Sequence, residues 1–281
     1  MKRAVYSVRH HYRYTYTGPV SNLRQRLVMV PPDSHDGQRL LDFDLDVRGT
    51  RGGAETRWEQ DDFGNRLCQV TASAVERAVD FEVRYRVERQ ATAHPFPKKS
   101  ALKEYLRPTA LTAPDDRLRE AARRIGEEAT CGPCRAEAAN QWAAGAITYQ
   151  PGATGVQTPA AMALHTGRGV CQDYAHILLT VLRLLGLPAR YVSGHLLGEG
   201  VPHAWVEVFL ADEKGGGGEV VAYDPTHRRV AGMNYIYVAG GRDFADVSPT
   251  SGYFSGGAAG KLSSSKRADI LAVEPAGATA K

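Results

Sequence analysis

Two sets of cysteines in this sequence could carry redox or nucleophilic chemistry. Residues 130–135 read T-C-G-P-C-R, and a C-x-x-C pair of this kind is typical of redox-active dithiols. Cys171 stands apart from that pair, at the start of an apolar run, where a cysteine can act as a nucleophile. Cys68, in R-L-C-Q-V, fits a buried strand residue. The first question is therefore which cysteine carries the chemistry.

The surroundings of Cys131 and Cys134 favour neither redox nor metal chemistry. A thioredoxin-type pair follows a strand in a βαβ pattern, whereas the preceding residues 117–129 have a helical pattern. A zinc site needs about four ligands, and the sequence has no second C-x-x-C and no H-x-x-x-H. We interpret Gly132-Pro133 as a break between two helices that the cysteines flank. A redox role and a metal role are the alternatives.

Cys171 has a more favourable position for catalysis. It follows the loop 167–170, G-R-G-V, and begins an apolar helix predicted over 171–185. The positive end of a helix dipole favours a thiolate at such a position. Backbone N–H groups in a first helical turn lack intrahelical partners and can bind an oxyanion. The N–H groups of Cys171 and Gln172 are the first candidates for that role.

A base and its acceptor are expected on two neighbouring strands. His203 opens H-A-W-V-E-V-F-L, and Asp224 ends V-V-A-Y-D-P. A turn at Gly215–Gly218 would pair these strands antiparallel and place His203 between Cys171 and Asp224. This predicts a Cys-His-Asp triad. Taken singly, His203 could be a loop histidine and Asp224 a turn residue before proline.

The elements that position these residues predict an α+β fold. Alternating apolar residues dominate up to about residue 88, as in A-V-D-F-E-V-R-Y-R-V-E at 78–88, and predict an N-terminal antiparallel β-sandwich over 1–95. A linker at 94–100 leads to a core over 101–255, with helices packed on an antiparallel sheet. Residues 256–281 are expected to add one strand, near 268–273, and a flexible tail.

The core helices and strands are expected at defined places along the chain. The predicted elements are helices near 115–128, 135–147 and 158–165, the last with Thr158 as its N-cap, and strands near 189–197, 204–210 and 219–224.

The motifs and their order resemble the transglutaminase-like superfamily, whose nearest branch is bacterial and is described, on sequence grounds, as cysteine proteases. The resemblance is carried by G-V-C-Q-D-Y-A-H at 169–176, L-G-L-P-A-R-Y-V-S-G at 185–194, H-A-W-V-E-V at 203–208 and D-P-T at 224–226, and by G-P-V-S-N-L-R-Q-R-L-V-M-V-P at 18–31, F-G-N at 63–65 and G-R-D-F-A-D-V-S-P-T-S-G-Y-F-S-G at 241–256. It therefore covers nearly the whole chain. Two departures are His227, where Asn is more usual, and E-V-V-A at 219–222, where many relatives have an aromatic residue.

The resemblance implies a papain-like, transglutaminase-like core with the triad Cys171, His203 and Asp224. It implies acyl transfer through a thioacyl intermediate, with hydrolysis of a peptide or amide bond as the expected outcome. Transfer to an amine is the first alternative, and a non-catalytic binding module is the second. Residues that could form a second layer around the site, or have only buried structural roles, are Gln172, Asp173, His176 and Trp205.

Composition limits the partners. The 281 residues include 35 basic and 31 acidic side chains, which are interspersed, so we expect no nucleic-acid partner. No segment reaches the roughly 20 apolar residues of a membrane span, and the N-terminus lacks the apolar stretch of a signal peptide. We therefore expect a cytoplasmic protein with four free thiols. No metal or organic cofactor is implied, and the oligomeric state is open.

Overall fold

The computed structural model describes residues 2–91, 96, 99–212 and 217–274. The strands are β1 (Arg3–Tyr16), β2 (Val20–Leu27), β3 (Ser34–His35), β4 (Gln38–Arg51), β5 (Glu55–Gln60), β6 (Arg66–Gln90), β7 (Thr148–Tyr149), β8 (Arg168–Gly169), β9 (Ala189–Leu196), β10 (His203–Ala211), β11 (Gly218–Asp224), β12 (Arg229–Val230), β13 (Tyr235–Gly241), β14 (Thr250–Ser255) and β15 (Gly260–Glu274). The helices are α1 (Lys99–Leu102), α2 (Asp116–Glu128), α3 (Gly132–Ala146), α4 (Ala160–Thr166), α5 (Cys171–Leu184) and α6 (Phe244–Val247), with a 3₁₀ turn at Glu104–Leu106.

The N-terminal strands form one antiparallel sheet around the long strand β6. Over residues 78–88 of β6 the apolar side chains alternate inward as the sequence predicts. The buried side chains of this stretch include Val79, Phe81, Val83, Tyr85 and Val87. The first half of β6 pairs with β2 and β5, and its second half pairs with β1 and β4. The α+β class and the N-terminal β domain are confirmed, with the strands joined through β6 in a single eight-stranded sheet.

The C-terminal strands belong to this same N-terminal sheet. β14 pairs with β2 at one edge, although it falls within the range 101–255 expected for the core. β15 pairs with β1 at the other edge and spans 15 residues, well beyond the strand predicted near 268–273. Sequence periodicity shows that a strand exists but not which sheet accepts it, and the pairing of β14 with β2 is therefore visible only in the structure.

The core is a second antiparallel sheet, with strand order β12-β11-β10-β9-β13. Helix α5 packs on β10 and β9, and α2, α3 and α4 pack around α5. Because α5 is covered on all sides, every residue from Gln172 to Arg183 is buried. The apolar run I-L-L at 177–179 and V-L at 181–182 lies within this buried stretch, and the polar residues of the helix are buried as well.

Most predicted core elements are confirmed, with shifts at two helix starts. Helix α3 begins at Gly132, so Gly132-Pro133 is its first turn and not a break that precedes it. Helix α4 has Pro159 as its N-cap, and Thr158 Oγ1 instead accepts a hydrogen bond from Gly155 N. Within the linker and the glycine turn, residues 94–95, 97–98 and 215–216 lie outside the described residues. Within the described ranges, no helix combines the length and apolar character needed to cross a bilayer.

Two side-chain amides attach the N-terminal sheet to strand β13 of the core. The Gln38 amide donates to Tyr237 O (2.8 Å) and accepts from Tyr237 N (3.0 Å). The Asn65 amide does the same with Gly240 O and Gly240 N, both at 2.8 Å. Each amide thus supplies the bonds that a neighbouring strand would make. All four groups are buried, so losing either amide would leave two unpaired backbone groups, at about 1–3 kcal/mol each.

A buried histidine pair lies where the two sheets meet. His10 on β1 and His195 on β9 are 3% and 2% exposed, with ring centroids 5.3 Å apart. Within the described part of the chain, His10 Nε2 and both ring nitrogens of His195 have no hydrogen-bond partner. Burial, followed by the nearby Lys266 ammonium and the charge of His11, lowers the pKa of His10 to about 3. Burial, His10 and Lys266 lower that of His195 well below its ordinary value.

We expect the protein to lose stability as the pH falls below about 6.5. The unfolded chain binds protons on His10 and His195 at a pH where the folded chain does not, so each histidine costs about 2 kcal/mol near pH 5 relative to neutral pH. Urea unfolding near pH 7.5 and pH 5 measures this loss. His195→Gln is expected to reduce it, whereas the exposed control His165→Gln is not. Equal losses in all three proteins would contradict the prediction.

Candidate active site

Cys171 is the first residue of helix α5, and a short network holds that helix start in place. Asp173 accepts hydrogen bonds from Val170 N (2.7 Å) and Thr154 Oγ1 (2.6 Å). A Cβ on Gly169 would lie 2.6–2.8 Å from the Asp173 side chain, so only glycine fits beside this carboxylate. The cysteine side chain is half-buried. The turn before α5 is thus built to present Cys171 at a helix N-terminus.

Strands β10 and β11 bring His203 and Asp224 together. His203 Nε2 lies 2.8 Å from Asp224 Oδ2. The side chains of His203 and Asp224 are 2% and 0% exposed, respectively. In the strand register His203 faces Gly194, where a Cβ would lie 2.5 Å from the Trp205 ring. Glycine at 194 therefore allows the aromatic ring to pack beside the histidine.

Asp224 accepts an unusually complete set of hydrogen bonds. Its Oδ2 also accepts from Tyr235 OH (2.6 Å) and lies 2.8 Å from His227 Nδ1, while its Oδ1 accepts from Thr226 N (2.9 Å) and His227 N (3.2 Å). Burial alone would raise the pKa of Asp224, but the bonds with His203, Tyr235 and His227 outweigh burial and lower it. The carboxylate is therefore ionised and fixed in orientation.

The same contacts hold a proton on His203. Burial alone would lower its pKa, but hydrogen bonds with Asp224, Cys171 and Glu199 raise it well above that of a free imidazole. Because Asp224 contacts Nε2, Nδ1 is the nitrogen left for both Cys171 and Glu199. The contacts of His203 thus include the Cys171 thiol on one side and the buried Asp224 carboxylate on the other.

Three residues of this site, Glu199, His227 and Tyr235, are not among the site residues that the sequence predicts. Glu199 Oε2 lies 3.2 Å from His203 Nδ1, and Glu199 Oε1 lies 3.2 Å from His227 Nε2. Tyr235 reaches Asp224 from strand β13. Of the three, the sequence marks only His227, which stands where Asn is more usual. Nothing in the local pattern marks Glu199 or Tyr235 as site residues.

The remaining candidates occupy supporting positions. Gln172 is buried, and its side chain donates to Val156 O (3.3 Å), which anchors the preceding loop. His176 is fully buried, and its Nε2 accepts from Phe244 N (3.2 Å), so it ties helix α6 to α5. Trp205 is 2% exposed and packs edge-on against Tyr235. Of the second-layer candidates, Asp173 is the one that accepts a hydrogen bond from Val170, the residue before Cys171.

Cys131 and Cys134 form a disulfide, which corrects the expectation of four free thiols. Cys131 is the N-cap of α3 and Cys134 lies one turn on, so their Cα atoms are 5.1 Å apart, within disulfide range. A Cβ on Gly132 would lie 3.9 Å from Leu187, just past the C-terminal end of α5. Cys171 begins this 14-residue helix, so about 20 Å of helix separates it from the end where the disulfide lies.

Comparison with protein families identifies two regions. Residues 119–225 match the model of the transglutaminase-like superfamily, and residues 6–88 match that of the bacterial transglutaminase-like N-terminal region. The first match contains Cys171, His203 and Asp224. The second covers most of the N-terminal sheet.

Individual proteins are also similar to this chain. An uncharacterized protein of Mycobacterium leprae is 41% identical over 164 residues, covering 54% of this chain and 56% of its own. One from Mycobacterium tuberculosis is 37% identical over 117 residues, covering 38% of this chain and 37% of its own. The matches thus span about half or less of these relatives. A Cytophaga hutchinsonii structure described as a "Putative Cysteine Protease" has the same fold, with a TM-score of 0.79, 20% identity and coverage of 98% of this chain and 93% of its own.

Proposed function

From the match of residues 119–225 to the transglutaminase-like superfamily and of residues 6–88 to its bacterial N-terminal region, we propose that the chain is a cysteine-dependent acyl-transfer enzyme that hydrolyses a peptide or amide bond. The observation that carries the proposal is the chain of contacts from Cys171 through His203 to Asp224. The proposed catalytic residues are these three.

In the first half-reaction the Cys171 thiolate attacks the amide carbonyl carbon. The resulting oxyanion lies near the start of α5, where the N–H groups of Cys171 and Gln172 are the proposed donors. His203 then gives its proton to the leaving nitrogen as the C–N bond breaks, and a thioester on Cys171 remains. Asp224 holds the imidazole in orientation throughout.

In the second half-reaction an acceptor attacks the thioester. His203, now neutral, takes a proton from water, and collapse of the tetrahedral intermediate releases the acid and restores the Cys171 thiolate. An amine in place of water would give a transamidation product. We favour water as the acceptor because water reaches the thioester unless something excludes it. Transfer to an amine would need a site that keeps water out.

A glutamine-containing peptide incubated with a labelled amine tests the choice of acceptor. We expect release of ammonia, or of peptide fragments, to exceed amine incorporation. The matched control is the Cys171→Ser protein, which should give neither product. Amine incorporation well above hydrolysis would overturn the hydrolase proposal and favour a transglutaminase.

Alkylation distinguishes an enzyme from a binding module that merely retains the fold. Cys171 is half-buried and contacts a charged imidazole, whereas Cys68 is 0% exposed and burial raises the pKa of its thiol to about 11. Iodoacetamide should therefore label Cys171 much faster than Cys68, as read by peptide mass spectrometry. A native protein in which Cys171 is inert would point to the binding module.

Two further expectations belong to this proposal. The partner is a peptide or another amide-containing substrate, with no nucleic acid and no membrane. Cytoplasmic localisation stays a prediction.

A further inference from the structure

We propose that Glu199, His203 and His227 form a binding site for a divalent transition metal of the Zn²⁺ class. The proposed ligand atoms are a Glu199 carboxylate oxygen, His203 Nδ1 and His227 Nε2, which all lie within 4.8 Å of one another. Two imidazoles and one carboxylate are a donor set that zinc commonly takes, with a fourth position open.

The spacing of these atoms suits a tetrahedral ion. His203 Nδ1 is 3.2 Å from Glu199 Oε2, and His227 Nε2 is 3.2 Å from the other carboxylate oxygen, Oε1. Ligands bound tetrahedrally at about 2.0–2.1 Å are separated by about 3.3 Å. The three ligand atoms lie within 4.8 Å of one another, so the carboxylate would turn one oxygen toward both nitrogens as they closed on one ion.

The orientation of both rings is fixed in the way that metal-bound histidines require. His203 Nε2 and His227 Nδ1 each lie 2.8 Å from the same atom, Asp224 Oδ2. The second nitrogen of each ring therefore points away from Asp224, toward Glu199. A carboxylate behind a histidine fixes its tautomer and strengthens it as a metal ligand.

An ion can reach this site from solvent. The Glu199 and His227 side chains are 28% and 35% exposed, while His203 is 2% exposed and forms the inner wall. An ion would bind between Glu199 and the two ring nitrogens that face it, His203 Nδ1 and His227 Nε2. Its charge of +2 would be balanced by the carboxylates of Glu199 and Asp224.

Metal binding would have a direct consequence for the reaction. A metal on His203 Nδ1 takes the nitrogen that must face Cys171, so the ion would inhibit the enzyme. This consequence rests on the proposed function, whereas metal binding itself does not.

Calorimetry with Zn²⁺ and absorption spectroscopy with Co²⁺ on the full chain test the site without an activity measurement. We expect one ion per chain and a tetrahedral Co²⁺ spectrum. Glu199→Gln and His227→Asn should each weaken binding by at least about tenfold, since losing a ligand costs no less than losing a group behind one. The control His165→Asn changes an exposed histidine outside the site and should leave binding unchanged.

Three results would overturn the inference. These are no saturable binding, binding that Glu199→Gln and His227→Asn leave intact, and binding lost only when cysteines are replaced. A protein that binds the ion through these residues but shows no hydrolase activity would uphold the metal site and count against the proposed function. The two ideas therefore fail separately.

Discussion

Replacing Cys171 with serine is expected to abolish acyl transfer. The thiolate at the start of α5 is the proposed nucleophile, and a serine hydroxyl in contact with a charged imidazolium has no base to take its proton. Removing the nucleophile of a catalytic triad can cost about 10⁶ in kcat. Steady-state hydrolysis of an amide substrate, with circular dichroism to confirm folding, measures the loss.

The matched control is the double variant Cys131→Ser/Cys134→Ser. It removes the disulfide at the far end of α5 and changes no group near Cys171, so activity should remain largely intact. A reduced thermal stability without a loss of kcat is compatible with this expectation. If Cys171→Ser stays active, or if the double variant alone loses activity, the assignment of the nucleophile is wrong.

Replacing Asp224 with asparagine is expected to lower kcat by roughly 10²- to 10⁴-fold, the range attributed to general acid–base catalysis. Asp224 accepts from five donors, and an amide must turn its NH₂ group toward some of them. His203 would lose the negative charge that favours its proton and the contact that fixes its ring. Comparison of kcat and KM for the variant separates this effect from weaker substrate binding.

Two further variants show whether the effect belongs to the carboxylate. Tyr235→Phe keeps the charge on Asp224 but removes one donor, so we expect a smaller loss, of about 10- to 100-fold, from one hydrogen bond to a charged group. Asp243→Asn changes another buried aspartate, which caps helix α6 through Ala245 N, and asparagine caps a helix as well as aspartate does. Its kcat should be unchanged. If Asp224→Asn and Asp243→Asn behave alike, Asp224 has only a structural role.

The N-terminal sheet is expected to affect this site indirectly. Gln38 and Asn65 bind β13, and Tyr6 OH donates to Met233 O just before that strand. Since Tyr235 lies on β13 and donates to Asp224, the sheet supports the carboxylate that orients His203. The N-terminal region therefore has a structural connection to the site as well as its own core.

Local pattern alone singled out Cys171, His203 and Asp224 as the candidate catalytic residues. Cys171 is marked by a glycine-bearing loop before an apolar helix, and His203 and Asp224 by their places at a strand start and a strand end. Helix and strand periods follow from backbone geometry and the burial of one face, so they can be read along a single segment. These periods predicted the α+β fold, and the motifs then indicated the family.

Only the tertiary structure brings in the groups that tune the site. Glu199, His227 and Tyr235 come from a loop, a turn and a distant strand, and their side chains meet around His203 and Asp224 because β9, β10, β11 and β13 are neighbours in one sheet. The same holds for β14 and β15, which close the N-terminal sheet from the end of the chain. Periodicity reports which face of a segment is buried. The element that packs against that face depends on packing and hydrogen bonding between residues far apart in sequence. These contacts cannot be predicted from the pattern of one segment.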